Sequence, residues 1–336
     1  MKIGLVARMD NGGLGILSWN LYKHLPISKV LVVPSTYQNF PERFPNALIC
    51  SKTIPTLDEI KEFLTDIDLV IVIETPYNWN IFAEAKRRGI KTILIPMYEW
   101  LQKVVPFEPD LYLCPSKLDF DLMKGNKKFL PIPIDRKEIE FYERTNNKNF
   151  IFVNGHGGFQ GRNSLREFLD AIPYIQSDIK IFIFSQVPFQ GIADKRIAIA
   201  IGEVDYQDLW RMGDIYVHLH KFDGLSLPLN EALSAGYPII ASDIYPANEY
   251  LPKELLIKPF VFSKSPLMLS TNPIDIYLFN PIDIAKKIDE VANMPIGKIV
   301  ELSRKSNEIA ESISWDTLKS VWINTLEDLC KGDLGE

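Results

Sequence analysis

Short apolar runs alternate with stretches of helical spacing along the whole chain. In the first half the runs are Ile3–Ala7, Val30–Val33, Leu69–Ile73, Lys91–Ile95 and Leu111–Cys114. Between them the spacing of apolar residues predicts helices over Leu14–His24, Leu57–Thr65, Asn78–Arg88 and Lys117–Met123. Leu130 to Asp135 is a proline-stiffened exit, and the polar stretch Arg144 to Lys148 reads as a linker. A second series begins at Phe150–Val153 and continues through Lys180–Phe184, Ile197–Ile201, Ile215–Leu219 and Ile239–Ala241. Its helices are predicted over Ser164–Ile172, Gln207–Met212, Pro228–Ala235, Ile282–Asn293 and Lys298–Glu311. Strands alternating with helices predict parallel sheets in α/β layers. Two consecutive series predict two doubly wound, Rossmann-like domains with a cleft at the carboxyl ends of both sheets.

The last helical pattern runs from Trp315 to Leu329, with Trp315, Leu318, Trp322, Leu326 and Leu329 on one stripe. A helix lying on a membrane surface carries lysines on its polar face. This one carries Asp316, Glu327 and Asp328, so the stripe reads as core packing.

Composition narrows the class. A chain of 336 residues has room for two domains, and 46% apolar residues exclude a disordered chain. The net charge of −6 argues against a general binder of nucleic acid or anionic membrane. Cys50, Cys114 and Cys330 are scattered and odd in number, which implies no disulfide framework and fits a reducing cytosol. The N-terminal apolar stretch is too short for a signal-peptide core, and no run approaches membrane-spanning length.

The most informative stretch is Phe222 to Asp243. Asp223 precedes a turn, Pro228 opens a helix, Gly236 ends it, and a buried strand follows Pro238. The amides of Leu225, Ser226 and Leu227 lie at the helix N-terminus, where N–H groups and the helix dipole favour a phosphate. Asp223 and Glu231 bracket that seat, eight residues apart. Asp223-Gly224-Leu225-Ser226-Leu227-Pro228, then Glu231-Ala232 and Gly236-Tyr237-Pro238-Ile239-Ile240-Ala241-Ser242, resembles the signature of retaining glycosyltransferases of family four (glycosyl transferases group 1). That family has the two-domain GT-B fold. Asp223 stands where the family usually has Glu, and Ser226 where it usually has Gly.

Two glycine-rich loops follow first strands. Asn11-Gly12-Gly13-Leu14-Gly15 leaves the first strand of the chain, and Asn154 to Asn163 leaves the first strand of the second series. Glycines there let backbone approach a phosphate closely. A nicotinamide dinucleotide would need an acid about twenty residues on, at the next strand end. Those strands end in Pro34 and Gln186 instead, so the dehydrogenase reading is weak. Gly12 and Gly13 resemble the family's first-domain loop beside the donor diphosphate. Arg162 matches a family cation that neutralises the donor phosphates. The family's lysine has no obvious counterpart; Asn163 or His156 stands near its place.

His218 and His220 share one face of a strand end just before Asp223. A metal site would need further convergent ligands, and no HExxH-like cluster exists. His220 is expected to face the donor phosphates, and His24 to cap its helix before Pro26. Asp66-Ile67-Asp68 precedes a strand and Asp119-Phe120-Asp121 lies in a helix, so neither reads as a metal-holding triplet. Glu74 and Glu99 leave the carboxyl ends of first-domain strands, with Trp100, Tyr98, Tyr77 and Trp79 near them as candidates for stacking a sugar.

The resemblance implies a GT-B architecture with domains over residues 1–142 and 149–314, and a helix over 315–336 that returns to the first domain. Segment 258–277 looks like an insertion relative to the family. The implied activity is transfer of a sugar, with retention, from a nucleotide-diphosphate donor to a glycan, lipid-linked or small-molecule acceptor. Glu231 would bind the ribose, Asp223 the transferred sugar, and Arg162 the departing diphosphate. Leu225, Ser226, Leu227 and His220 would line the donor, and Gly202, Glu203 and Val204 would lie along its base. Glu74, Glu99 and Trp100 are acceptor-side candidates. No metal and no other cofactor is expected, nor any nucleic-acid partner. The expected location is cytoplasmic, with peripheral attachment at a membrane left open. Two alternatives stay open: a donor-binding module without turnover, and a sugar-nucleotide epimerase on the same fold.

Overall fold

The computed structural model describes residues 1–333 except Tyr37, residues 156–160 and Glu203, and except the side chain of Tyr206. The chain divides into two compact units. Unit 1 comprises Met1–Pro133, Pro266–Asn272 and Trp315–Glu336; unit 2 comprises Ile134–Ser265 and Pro273–Ser314.

Unit 1 is built from β1 (Ile3–Ala7), α1 (Gly13–His24), β2 (Ile27–Val32), β3 (Leu48–Ile49), α2 (Leu57–Phe63) and β4 (Leu69–Glu74). It continues through α3 (Asn80–Arg87), β5 (Lys91–Pro96), β6 (Leu111–Cys114), α4 (Lys117–Leu122) and β7 (Lys127–Phe129). Its seven strands run β3-β2-β1-β4-β5-β6-β7, and each neighbouring pair is parallel. Unit 2 follows with β8 (Asn149–Gly155), α5 (Leu165–Ala171), β9 (Lys180–Ser185), β10 (Ile197–Ile201), α6 (Tyr206–Leu209) and β11 (Ile215–His218). Then come α7 (Leu227–Ser234), β12 (Ile239–Ser242), α8 (Ala247–Tyr250), β13 (Leu256–Ile257), β14 (Phe260–Pro266) and β15 (Pro273–Leu278). Helices α9 (Pro281–Ala292) and α10 (Ile296–Ser312) complete unit 2, and α11 (Trp315–Lys331) belongs to unit 1. The six-stranded sheet of unit 2 runs β10-β9-β8-β11-β12-β13, again with parallel neighbours.

Both sheets have the doubly wound order in which the chain reverses direction beside its first strand. The reversal falls between β1 and β4 in unit 1 and between β8 and β11 in unit 2. Central strands are apolar at nearly every position because helices cover both faces. β1 is buried throughout, and β4 is buried from Leu69 to Ile73. Edge strand β10, with a single neighbour, is half-buried or exposed along its length.

The stripe of α11 is buried at Trp315, Trp322, Leu326 and Leu329, as read, with Leu318 half-buried. Trp322 donates its indole N–H to the Pro131 carbonyl (3.1 Å), and Lys128 reaches the Thr325 hydroxyl (2.9 Å). His24 ends α1 and stacks on Trp315, ring centroids 4.7 Å apart. Segment 258–277 largely forms the two-stranded sheet of β14 and β15, and the Tyr277 amide bonds the Lys221 carbonyl (2.8 Å).

The stretch read as a polar linker is buried at Arg144 and Asn147. Its side chains serve carbonyls that helix ends leave without partners. The Arg144 guanidinium donates to the carbonyls of Trp210 (2.8 Å), Gly213 (2.8 Å) and Ala235 (3.0 Å), and stacks 3.8 Å over the Tyr237 ring. Ala235 is the C-cap of α7. Asn147 and Lys148 cap α9 in the same way, at Met294 (2.9 Å) and Ala292 (2.6 Å). Cations and amides at helix C-termini also meet the negative end of the helix dipole.

Ser116 caps α4 by accepting the Asp119 amide (3.1 Å), and the Asp119 carboxyl in the first turn accepts the Tyr98 amide (2.8 Å) and the Ser116 hydroxyl (2.6 Å). Burial raises its pKa to about 6, against the pull of those hydrogen bonds. The native state therefore holds a proton that the unfolded chain releases near pH 4, and stability falls as pH rises from about 4 through about 6. Asp119→Asn should remove this slope and gain on the order of 1–2 kcal/mol at pH 7.5 relative to its own position at pH 5. Urea unfolding of both proteins at the two pH values measures it, and parallel slopes would refute the assignment.

Candidate functional site

In a doubly wound sheet the loops that leave the strands at the reversal point diverge and open a crevice at their carboxyl ends. In unit 2 those loops follow β8 and β11. The first carries Arg162 and the second carries His220 and Asp223. Backbone bonds knit them together: Ser164 N to Leu219 O (2.8 Å) and Lys221 N to Arg162 O (2.8 Å). Asn163 and His220 form an isolated bridge, and the Asn163 side chain donates to Asn154 O (2.6 Å). Ser242, at the end of β12, accepts the His220 amide (2.9 Å) and donates to its carbonyl (3.0 Å).

This framework holds a buried polar cluster. The Asp223 side chain is 2% exposed and receives Nδ1 of His220 at 2.6 Å on Oδ2. His218 Nε2 stands 3.6 Å from the same oxygen. A guanidinium nitrogen of Arg162 lies 4.0 Å from the other oxygen, and the Arg162 side chain is 30% exposed. Burial opposes charge on Asp223, but His220, the histidine hydrogen bonds and Arg162 outweigh it and hold the carboxyl well below its usual range. Burial and the neighbouring His218 lower the His220 pKa to about 4, although Asp223 pulls the other way. The pair is thus a neutral imidazole donating from Nδ1 to an ionised carboxylate.

His218 continues the network. Its Nδ1 meets the Tyr216 hydroxyl (3.0 Å) and its Nε2 the Ser226 hydroxyl (3.1 Å). Ser226 is the N-cap residue of α7, yet its side chain makes no capping bond because it is turned to His218. Among the described residues, no acceptor takes a hydrogen bond from the amides of Leu225, Ser226 or Leu227. The helix opens with Pro228 in its first turn. Glu231 is half-buried one turn further on. Lys221 pairs with Glu167 (2.7 Å).

The ligand atoms of His218, His220 and Asp223 lie within 4.8 Å of one another and could hold a metal ion. The 2.6 Å between His220 Nδ1 and Asp223 Oδ2 is a hydrogen-bond length. Two ligands of one tetrahedral zinc ion stand about 3.3 Å apart.

The remaining expected residues fall at strand ends. Gly202 follows β10 with φ +110°, its amide bonded to Ser185 O (2.9 Å), and Val204 is half-buried beyond it. Glu203 and His156 lie outside the described residues. In unit 1, Gly12 caps α1 and gives its amide to Asp10 Oδ1 (2.8 Å), and Gly13 opens the helix exposed. A Cβ on Gly15 would sit 2.0 Å from the Asp10 carbonyl oxygen, so the loop folds this tightly only with glycine there. Asp10 also pairs with Arg8 (2.9 Å), a cluster that motif reading passed over because it depends on strand β1's direction. Glu74 ends β4 at φ +67°, a left-handed conformation uncommon outside glycine. Glu99 is buried after β5, and Trp100 is half-buried beside it.

No protein-family model matches the chain, and no curated protein sequence matches it. Solved structures do. HepE from Anabaena, determined with UDP and glucose, superposes with a TM-score of 0.71 at 11% identity, over 98% of this chain and 100% of HepE. Sucrose-phosphate synthase from Thermosynechococcus elongatus gives 0.65 at 12%, over 99% and 100%. The lipopolysaccharide outer core galactosyltransferase WaaB gives 0.65 at 12%, over 98% and 99%. The architecture is the GT-B fold.

Ser226→Ala should leave the buried His218 Nε2 with only Asp223 Oδ2, 3.6 Å away, beside it. The expected cost is about 1–3 kcal/mol of unfolding free energy in urea. A loss below about 0.5 kcal/mol, the scatter of ordinary surface substitutions, would mean the His218–Ser226 bond does not organise the start of α7.

Proposed function

We propose that the protein is a glycosyltransferase that takes a sugar from a nucleotide-diphosphate donor bound at the reversal point of unit 2. The observation that carries the reading is the grouping at one end of that sheet: a partly exposed Arg162, the start of α7, the Asp223–His220 pair and Glu231. Each matches a chemical need of such a donor. A guanidinium fork and unshared amides suit a diphosphate. A carboxylate suits a pair of ribose hydroxyls, the role proposed for Glu231. The Asp223–His220 pair would stand on the side of the sugar. Gly202 and Val204 would flank the base.

Charge grows on the diphosphate as the glycosidic bond breaks, so Arg162 and the helix amides would stabilise the transition state more than the ground state. With the leaving phosphate positioned to take the acceptor's proton, no separate strong base is needed, which agrees with a retaining outcome. His220, neutral and low in pKa, is a poor reservoir for that proton. The GT-B neighbours, among them one determined with UDP and glucose, support a sugar nucleotide as donor. Glu74, Glu99 and Trp100 of unit 1 are proposed as acceptor-side residues. The reading includes a metal-free reaction, since Arg162 and amides supply the positive potential.

A thermal-shift screen of UDP-, GDP- and ADP-sugars, followed by transfer assays, tests the reading; no stabilisation by any of them would end it. Glu231→Ala should weaken nucleotide binding by ~1.5–3 kcal/mol in calorimetry, the cost of losing a charged hydrogen-bonding partner. Arg162→Ala should reduce turnover on the order of a hundredfold with a smaller change in donor affinity. Unchanged turnover in that variant would place the leaving-group cation elsewhere.

Activity should also survive exhaustive chelation. Loss of transfer on chelation and its return with Mg²⁺ or Mn²⁺ would refute the metal-free mechanism and turn attention to His218, His220 and Asp223 as ligands.

A further inference from the structure

We propose that His220 is the residue of unit 2 that touches the sugar of the donor, and that Asp223 is a positioning residue behind it. The inference rests on the donor reading above and assigns the recognition of a sugar hydroxyl within that site.

The carboxylate is withdrawn from the surface, and its Oδ1, buried without a hydrogen bond, faces the Arg162 guanidinium at 4.0 Å. Its side chain is 2% exposed, and its Oδ2 already receives His220 at 2.6 Å. The imidazole is the more accessible partner, at 7%. With Nδ1 committed to Asp223, the ring nitrogen left for a ligand is Nε2. An imidazole that keeps its proton on Nδ1 presents a lone pair at Nε2, an acceptor for a hydroxyl. A sugar offers hydroxyls, whereas a diphosphate offers only acceptors and would be repelled by that lone pair. This separates the sugar from the phosphates as the group that His220 reads.

The ring is also held in place. Ser242 clamps its backbone on both sides, and His218 lies against it with centroids 4.0 Å apart. The bridge to Asn163 sets it beside the loop of Arg162. A rigid acceptor next to the diphosphate cation suits a hydroxyl of either sugar joined to the diphosphate, and with Glu231 proposed for the ribose, His220 falls to the transferred sugar.

The arrangement accounts for the shorter acid at position 223. A glutamate is one methylene longer, and with Asp223 Oδ2 already 2.6 Å from His220 Nδ1 it could not keep that contact without shifting one side chain or the other. Asp223 leaves the imidazole in place and acts through it.

The test is calorimetric binding of UDP-glucose and of UDP to the wild type, His220→Ala, Asp223→Asn and the double variant, with nitrogen-15 spectra of the labelled histidines. The free wild type should show His220 protonated at Nδ1 and bare at Nε2, and UDP-glucose, unlike UDP, should shift Nε2. His220→Ala should lose about tenfold in UDP-glucose affinity and leave UDP unchanged; that figure is the size of one good hydrogen bond. Asp223→Asn should give a smaller selective loss, absent from the His220→Ala background, as a residue acting through His220 requires.

Several results would overturn the proposal. One is a His220 ring protonated at Nε2. Another is UDP-glucose binding that leaves Nε2 unmoved. A third is an Asp223→Asn loss undiminished when His220 is already alanine. A wild type that binds none of the UDP-, GDP- and ADP-sugars of the screen overturns the donor reading itself, and this assignment with it; one that binds another of them in place of UDP-glucose is titrated with that sugar nucleotide and its free nucleotide, with the same outcomes deciding.

Discussion

A buried carboxylate governs the organisation of unit 2. An ionised aspartate withdrawn from water is unstable unless charge and hydrogen bonds replace its hydration. Asp223 meets that demand with His220 and with Arg162 nearby. These partners come from two loops, and each loop is anchored in turn. His220 needs Ser242 from the next strand, and Arg162 needs the backbone bond to Lys221. One desolvated charge therefore ties together the ends of β8, β11 and β12. The same ends form the candidate site, so the need to satisfy the aspartate and the shaping of the proposed donor seat are a single constraint.

Much of the scaffold was legible in the amino-acid sequence. Strands buried on both faces are continuous apolar runs, and β1 and β6 fall where those runs stand. The helix that starts at Leu227 was visible from Pro228 and Gly236 because start and stop signals are local. The stripe of α11 was visible because helical periodicity is local too. The short edge strands were not. β3 has two residues, β7 reads Lys-Lys-Phe, and a strand with one neighbour needs no apolar alternation. The hairpin of β14 and β15 was hidden by its prolines and serines, which mimic loop composition.

The candidate site was legible in its membership and not in its wiring. Asp223, Arg162, Glu231 and His220 stand out by type and spacing. Which group touches which depends on residues far apart in sequence, such as Arg162 with Asp223 and Ser242 with His220, whose distances no local pattern carries. Burial was the decisive missing quantity. The motif marks Asp223 as a ligand-facing acid, and its burial against His220 follows only from the packing of three strands. The segment from Arg144 to Lys148 failed for the same reason. Polar composition usually marks a solvated connector, yet here the polar atoms serve carbonyls inside the fold.

That segment bears on where unit 2 begins as a piece of chain. A fragment cut at residue 149, the start of β8, would retain every strand of the sheet. It would nevertheless lose the guanidinium that satisfies the carbonyls of Trp210, Gly213 and Ala235, and the side chains that finish α9. The end of helix α7 would then keep the bonds of Ser303 and Ser306 to Gly236 and Tyr237 but lose the cation at its last carbonyl. The connector is thus a part of the unit it leads into. Whoever excises, permutes or grafts this half of the protein inherits the obligation to carry Arg144 along with it.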